Sequence, residues 1–384
     1  MMKKIVLAFI INLFLFSYAF ADEAKYYLIA DAGSTGTRLH FFKYNNDKNM
    51  PLIEEMFSEK NTIPLASFSD EPEKAYDSID PMLKNAVKKI QNNHIQTPVS
   101  ISILGTAGMR LLTSEQQQKI YENIKTKIIA QYHDELIARD IQTISGKMEG
   151  IYDWLDVNYL LKNFQNNTPT SGSIDMGGAS TQIAFATDKS SKSIDEVSLK
   201  INKVDYIIFS KSFLGLGLDQ ARESMNSDEN AGYCYPKNFN TKTRKGNFDL
   251  ASCSVIYNQV IDNYHINQLN LPTYKIPSFV AFSGAYYTYH FFGTDPSIPD
   301  QDTLEQTIIQ PICSNTWETL KEAYPAEPEN YLSNYCANGI FVTDLLYGPF
   351  HLQSKQIRIL SRINEKNIDW ALGAMLYHII TSEN

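Results

Sequence analysis

Asp31, Gly33, Ser34, Thr35, Gly36, Thr37 and Arg38 stand in one octet, DAGSTGTR, whose residue types suit phosphate binding. Glycine lets the backbone approach an anion closely and take positive φ, so several N–H groups can converge on it. The leading acid can hold a cation against the same anion, directly or through water. A plain hairpin turn would use many of the same residues. The octet has a second copy, however, in DMGGASTQIAF beginning at Asp175. Aligned on the acid, Gly33 meets Gly177, Thr37 meets Thr181 and Phe41 meets Phe185, with Gly178 and Ala179 inside the second turn. Two such turns facing each other would clamp a phosphate chain from both sides, with Asp31 and Asp175 beside a metal ion.

These residues need strands to carry them. Apolar runs at 26–30 and 39–42 bracket the first turn, and 173–174 and 182–186 bracket the second, so each copy reads as strand, loop, strand. Residues 75–91 have apolar positions at helical spacing. Residues 99–104 read as a buried strand running into GTAGMR, where Thr106 offers a hydroxyl and Arg110 a guanidinium. Arg110 could reach a phosphate or pair with an acid. A second amphipathic helix is expected over 115–132, and a third from about Met148. That start leaves Glu149 in a first helical turn, where an acid complements the helix dipole. Beside two phosphate loops the same carboxylate is a candidate general base. Residues 166–171 are polar and suit a crossing between lobes. Strand character returns over 205–213 and in FVAFSGAYY at 279–287, and buried helices are expected over 340–346 and 369–377. The adjacent Tyr286 and Tyr287 suit packing or stacking on a planar ligand.

The chain opens with Lys3-Lys4, an apolar run over 5–16 interrupted only by Asn12, and Ala19-Phe20-Ala21. That is the order of a secretory signal peptide, with cleavage expected after Ala21. The apolar run is short for a span, which needs about 20 residues. The expected product is secreted or periplasmic, without a membrane span after cleavage. What remains of the 384 residues suffices for two domains. A formal net charge of -9 and the lack of a long Lys/Arg cluster argue against a nucleic-acid polymer as partner. Four cysteines behind an export signal favour disulfides over metal ligation. Pairing neighbours, Cys234 with Cys253 and Cys313 with Cys336, closes the shortest loops and is the expected pattern.

Together, DAGSTGTR, GTAGMR, the Glu149 stretch, DMGGASTQIAF, and FSGAYY with the closing DWALG resemble, in order, the signatures of the apyrases, the nucleoside triphosphate diphosphohydrolases. The resemblance spans nearly the whole mature chain. It implies an α/β protein of two ribonuclease-H-like lobes in the actin-like fold, with nucleotide in the cleft between them. Lobe I is expected over 22–165 and 362–384, lobe II over 166–361. The family pattern makes 33–38 and 177–181 the phosphate cradles, with Asp31 and Asp175 orienting the water shell of Ca2+ or Mg2+. Glu149 becomes the base, Ser180 and Gln182 hold the attacking water, and Thr106 and Arg110 join the phosphate site. A nucleoside site is implied at Tyr287, Phe341 and Trp370, with Phe341 where the family often carries Tyr. Expected partners are nucleoside tri- and diphosphates, and the protein is expected to be a monomer. A sugar kinase or polyphosphatase on the same fold is the rival enzyme, though a kinase fits poorly with an export signal. A catalytically inactive nucleotide-binding module is the other rival, opposed by Glu149, Ser180 and Gln182.

Overall fold

The computed structural model describes residues 24–45, 50–166, 168–188, 190, 192–240 and 245–382, and the expected signal segment lies outside them. The apolar runs flanking the first turn form a hairpin, β1 (Lys25–Gly33) with β2 (Gly36–Asn45). Its register sets Asp31 opposite Arg38 and closes the turn between Gly33 and Gly36. Strand β3 (Leu52–Asn61) extends the hairpin antiparallel, with a register shift at Phe41/Phe42. Helix α1 (Ala75–Asn92) then crosses to β4 (Val99–Gly105), parallel to β1, and α2 (Ser114–Tyr132) crosses to β5 (Leu136–Thr143). The sheet order is β3-β2-β1-β4-β5. Helix α3 (Gly146–Leu160) follows.

The second half repeats the plan. Strands β6 (Gly172–Met176) and β7 (Ser180–Thr187) make the second hairpin, with Asp175 opposite Gln182 just as Asp31 is opposite Arg38. Strands β8 (Glu196–Ile201) and β9 (Val204–Leu214) add to it, and α4 (Leu218–Asn226) and α5 (Leu250–Asp262) lead to β10 (Phe279–Ser283). Helices α6 (Gly284–Phe291) and α7 (Tyr335–Tyr347) precede β11 (Ile357–Ile359), and α8 (Trp370–Ser382) ends the described chain. The order here is β11-β10-β6-β7-β9-β8. With the edge strand β8 set aside, that is the first sheet's arrangement again, so both acids finish the first strand of equivalent sheets.

Three apolar layers build the molecule, and the middle one joins its two halves. One face of the first sheet packs on α1 and α2, around Leu28, Phe41, Ile79 and Ile124. The far face of the second sheet packs on α4 to α7. Between the sheets lie α3 and α8, sharing a core with Ile29 and Phe42 from one sheet and Ile208 and Phe282 from the other. Chain order assigns α3 to the first lobe, yet it packs on β6, β7 and β9 of the second sheet and on α8. Every residue of α3 from Glu149 to Leu160 is buried. Burying Trp154, Leu155 and Val157 at about 1.5 to 3 kcal/mol each works against the cost of taking Glu149, Asp153 and Asp156 out of water.

Both expected disulfides form, Cys234–Cys253 and Cys313–Cys336. The first ties a short turn to α5 and the second anchors α7. By loop closure such links are worth roughly 2 to 4 kcal/mol each. Among the described residues, no helix is long and apolar enough to cross a membrane.

Candidate active site

The two hairpin turns touch. A Cβ added to Gly178 would stand 3.0 Å from Ser34 Oγ and 3.2 Å from Thr35 Cγ2. Any side chain there would fill the gap between the loops. Gly36 has φ +142°, and a Cβ on it would meet Asn61 O at 2.2 Å, so only glycine turns this corner. The second loop is pinned from behind by α4, whose Leu218 and Asp219 N–H groups donate to Gly177 O and Gly178 O at 2.9 Å. The GTAGMR turn joins the first loop: Thr106 N–H donates to Ala32 O at 3.2 Å, and Gly108 lies against Ser34. Ser34 and Thr35 stand at the mouth of the gap. Thr37, Thr106 and Ala179 are buried, and Thr37 Oγ1 has no hydrogen-bond partner.

Asp31 and Asp175 each keep one buried oxygen, Oδ1, with no hydrogen-bond partner. Burial pushes Asp31 well above the usual carboxylate range, with Asp369 and Glu149 adding to the push and Arg38 opposing it. Burial likewise pushes Asp175 up to about 7, against a hydrogen bond from Ser283. Ser283 ends β10 at φ 54° and ψ −123°, backbone that non-glycine residues avoid, in the turn where the hydroxyl meets Asp175. Two acids, each with a buried and orphaned oxygen, are what a cation would satisfy. Among the described residues, no cluster of three or more His, Cys, Asp or Glu could hold a metal ion. Two acids alone leave most of a cation's coordination shell to water, which suits Ca2+ or Mg2+.

Glu149 sits in the first turn of α3, capped by Ser145, and is 5% exposed. Its Oε2 accepts from Arg110 Nη2 at 2.7 Å and from Gln182 Nε2 at 2.9 Å. Gln182 Nε2 also lies 2.7 Å from Ser180 Oγ and 3.1 Å from Ser212 Oγ, and Gln182 Oε1 is buried without a partner. Burial raises the Glu149 carboxyl and Arg110 pulls it back part of the way. Arg110, expected at the phosphates, instead gives Nη2 to Glu149 and Ser180 and Nη1 to Ile144 O. Arg38 meets Asp369 at 2.9 Å and is partly exposed beside Tyr287.

The expected nucleoside site needs correction. Phe341 is 1% exposed inside the second-lobe core, its ring 5.3 Å from that of Tyr257, and cannot reach a base. Trp370 is 5% exposed and stacks on Tyr152, with the ring centres 6.1 Å apart. Tyr287 is 63% exposed at the rim, as a stacking residue must be. Tyr331 and Tyr335 stand within electrostatic reach of each other, as do Tyr287 and Tyr335. The sequence reading passed over both Tyr331 and Tyr335.

It also passed over Asp369, Asp153 and Ser212. Asp369 receives Arg38, stands 3.4 Å from His40 Nε2, and gives its own N–H to Asp156. Burial pushes it up, but His40 and Arg38 hold it below the ordinary range. Asp153, one turn beyond Glu149, is fully buried with neither oxygen bonded, and burial with Asp175 and Glu149 nearby raises it well above the usual range. The DWALG signature marked the 369 position, but nothing in single-residue spacing marked the other two.

The sequence matches the family described as GDA1/CD39 (nucleoside phosphatase) over residues 17–384. Nucleoside-diphosphatase mig-23 of Caenorhabditis elegans is 27% identical, the match covering 93% of this chain and 78% of that one. Ectonucleoside triphosphate diphosphohydrolase 1 of Mus musculus is 28% identical, with 92% and 81% covered. Among solved structures, a nucleoside triphosphate hydrolase from Neospora caninum superposes with a TM-score of 0.64 at 14% identity, covering 94% of this chain and 93% of that one.

Proposed function

Since the chain belongs to the GDA1/CD39 (nucleoside phosphatase) family, a family of hydrolases on the actin-like fold, we propose that it is an apyrase that removes terminal phosphates from nucleoside tri- and diphosphates by attack of water activated at Glu149. One observation carries this reading: two equivalent hairpins bring Asp31 and Asp175, each with an orphaned oxygen, to the same gap as Glu149, Ser180 and Gln182. Phosphoanhydride hydrolysis needs charge neutralised at the phosphates, an in-line water and a base.

Asp31 and Asp175, with their orphaned oxygens, would hold a divalent cation such as Ca2+ or Mg2+, which would supply charge neutralisation at the phosphates. The backbone N–H groups of 33–38 and of Gly178 and Ala179 cradle the phosphoryl oxygens, Gly177 shaping the second loop with its own N–H on Ser180 O, and Ser34, Thr35 and Thr106 add hydroxyls. Glu149 has Oε2 occupied by two donors, so Oε1 is the oxygen free to take the water's proton. The buried, unpartnered Oε1 of Gln182 can accept a hydrogen bond from the water's other O–H, while Ser180 Oγ fixes its position. The phosphorus–oxygen bond to the leaving nucleotide breaks as the water oxygen bonds to phosphorus, so no covalent nucleophile is needed. Arg38 and the exposed Tyr287 face the outer part of the gap, where the nucleoside would lie.

Export is the remaining part of the reading. Two disulfides and the signal-like leader support it, because such bonds persist outside the reducing cytosol. Phosphate release from ATP, ADP, GTP, GDP and inorganic polyphosphate, measured in parallel on the purified protein, tests the substrate class. Release from the nucleotides and none from polyphosphate is expected. The reverse pattern would replace the apyrase reading with a polyphosphatase.

A further inference from the structure

The Arg110 guanidinium spans the gap between the two halves of the site. It leaves the turn after β4 of the first sheet, passes the start of α3, and ends beside β7 of the second sheet. There it is nearly enclosed, with 13% of the side chain exposed. Nη2 has two hydrogens and two acceptors, Glu149 Oε2 at 2.7 Å and Ser180 Oγ at 3.2 Å, and Nη1 donates to Ile144 O at 3.2 Å. A phosphate ligand would present this fork to the gap, because paired donors are what bind phosphate oxygens well. Here the fork is turned onto the carboxylate and onto the hydroxyl that holds the water.

We propose that Arg110 is a positioning residue acting through Glu149: it fixes Oε2, leaves Oε1 turned to the attacking water, and keeps the base ionised. The proposal rests on the reading of Glu149 as the base. The other titratable side chains around Glu149 are acids, Asp31 near the end of β1, Asp175 near the end of β6 and Asp153 one turn along α3, and a divalent cation would lie on the first two. Burial raises the Glu149 carboxyl, and among the described residues Arg110 is the one cationic side chain opposing it. Gln182 and Ser212 are neutral and cannot replace it. Removing the guanidinium therefore leaves burial unopposed by any side chain that touches Glu149, so Glu149 should hold its proton to higher pH.

The test is kcat and KM for a nucleoside diphosphate across pH, at saturating divalent cation, for Arg110→Gln, Arg110→Lys and Glu149→Gln, with melting temperatures alongside. For Arg110→Gln the acid limb of the kcat profile should move up by about one to three pH units. Turnover should recover in alkaline buffer while KM changes little. Arg110→Lys keeps a charge but loses the fork, so its limb should move less in the same direction. It also serves if the Gln variant does not fold. A raised KM with an unmoved acid limb in either variant would overturn the proposal and return Arg110 to the phosphates. Near-parental turnover in Glu149→Gln would show instead that the base lies elsewhere, whatever the Arg110 variants do.

Discussion

Glu149→Gln should lower kcat by about a hundred- to ten-thousand-fold while nucleotide affinity and metal dependence change little. The substituted amide keeps the size of the side chain and can still accept from Arg110 and Gln182 through its oxygen. It cannot take a proton from water at neutral pH. Stability should change little, because the change removes a buried charge but also weakens its pairing with Arg110. A residue that only complemented the helix dipole would behave otherwise. It would cost about 0.3 to 1 kcal/mol of stability and leave turnover near normal. kcat and melting temperature measured on the same purified variant separate the two.

Removal of divalent cations should have the largest effect of all. After exhaustive treatment with EDTA, turnover should fall to background, and Ca2+ or Mg2+ should restore it. The reason lies in the acids of the gap: Asp175, Glu149 and Asp153 are buried and Asp31 is half-buried beside them, and a phosphate chain brings negative charge to a place with no room for it. Loop amides alone cannot offset that. Asp31→Asn and Asp175→Asn should reproduce the loss. Both should leave the metal-free protein at least as stable as the parent, since each removes a buried carboxylate with an unpartnered oxygen. Full turnover after chelation would remove both aspartates from the metal role.

The parts of this site that were legible in the sequence are those where chemistry constrains the backbone itself. The two acid-glycine-hydroxyl turns had to repeat, because equivalent strands of equivalent sheets deliver them, and their register does match, Asp31 to Arg38 and Asp175 to Gln182. Helices α1, α2 and α3 were legible from apolar spacing, since each buries a stripe or more. The strands β3, β5, β8 and β11 were not. Each lies at or near a sheet edge, and three are half exposed, so apolar runs do not mark them.

Side-chain direction was the harder quantity. Phe341 and Trp370 were assigned by position beside family signatures, yet both helices that carry them are core layers, and their rings turn inward. Tyr335 shows the complementary case, a tyrosine near the rim whose direction spacing did not tell. It stands next to Cys336, and its half-buried ring packs flat on Phe291, at 4.2 Å and 8°, where spacing suggests only an anchor for the disulfide. Arg110 was legible as a residue of this gap with either a phosphate or an acid as partner; that the acid beside it is Glu149 was not legible, because the contact depends on the approach of two sheets distant in sequence.

Hydrolysis in water enriched with 18O tests the central claim most directly. With ADP or ATP as substrate, the released inorganic phosphate should carry one solvent oxygen and the nucleotide product none, as read by mass spectrometry or by the isotope shift in 31P NMR. That is the outcome of water attacking the terminal phosphorus within the gap bounded by Glu149, Ser180 and Gln182. Label in the nucleotide product, or phosphate released without label, would contradict it.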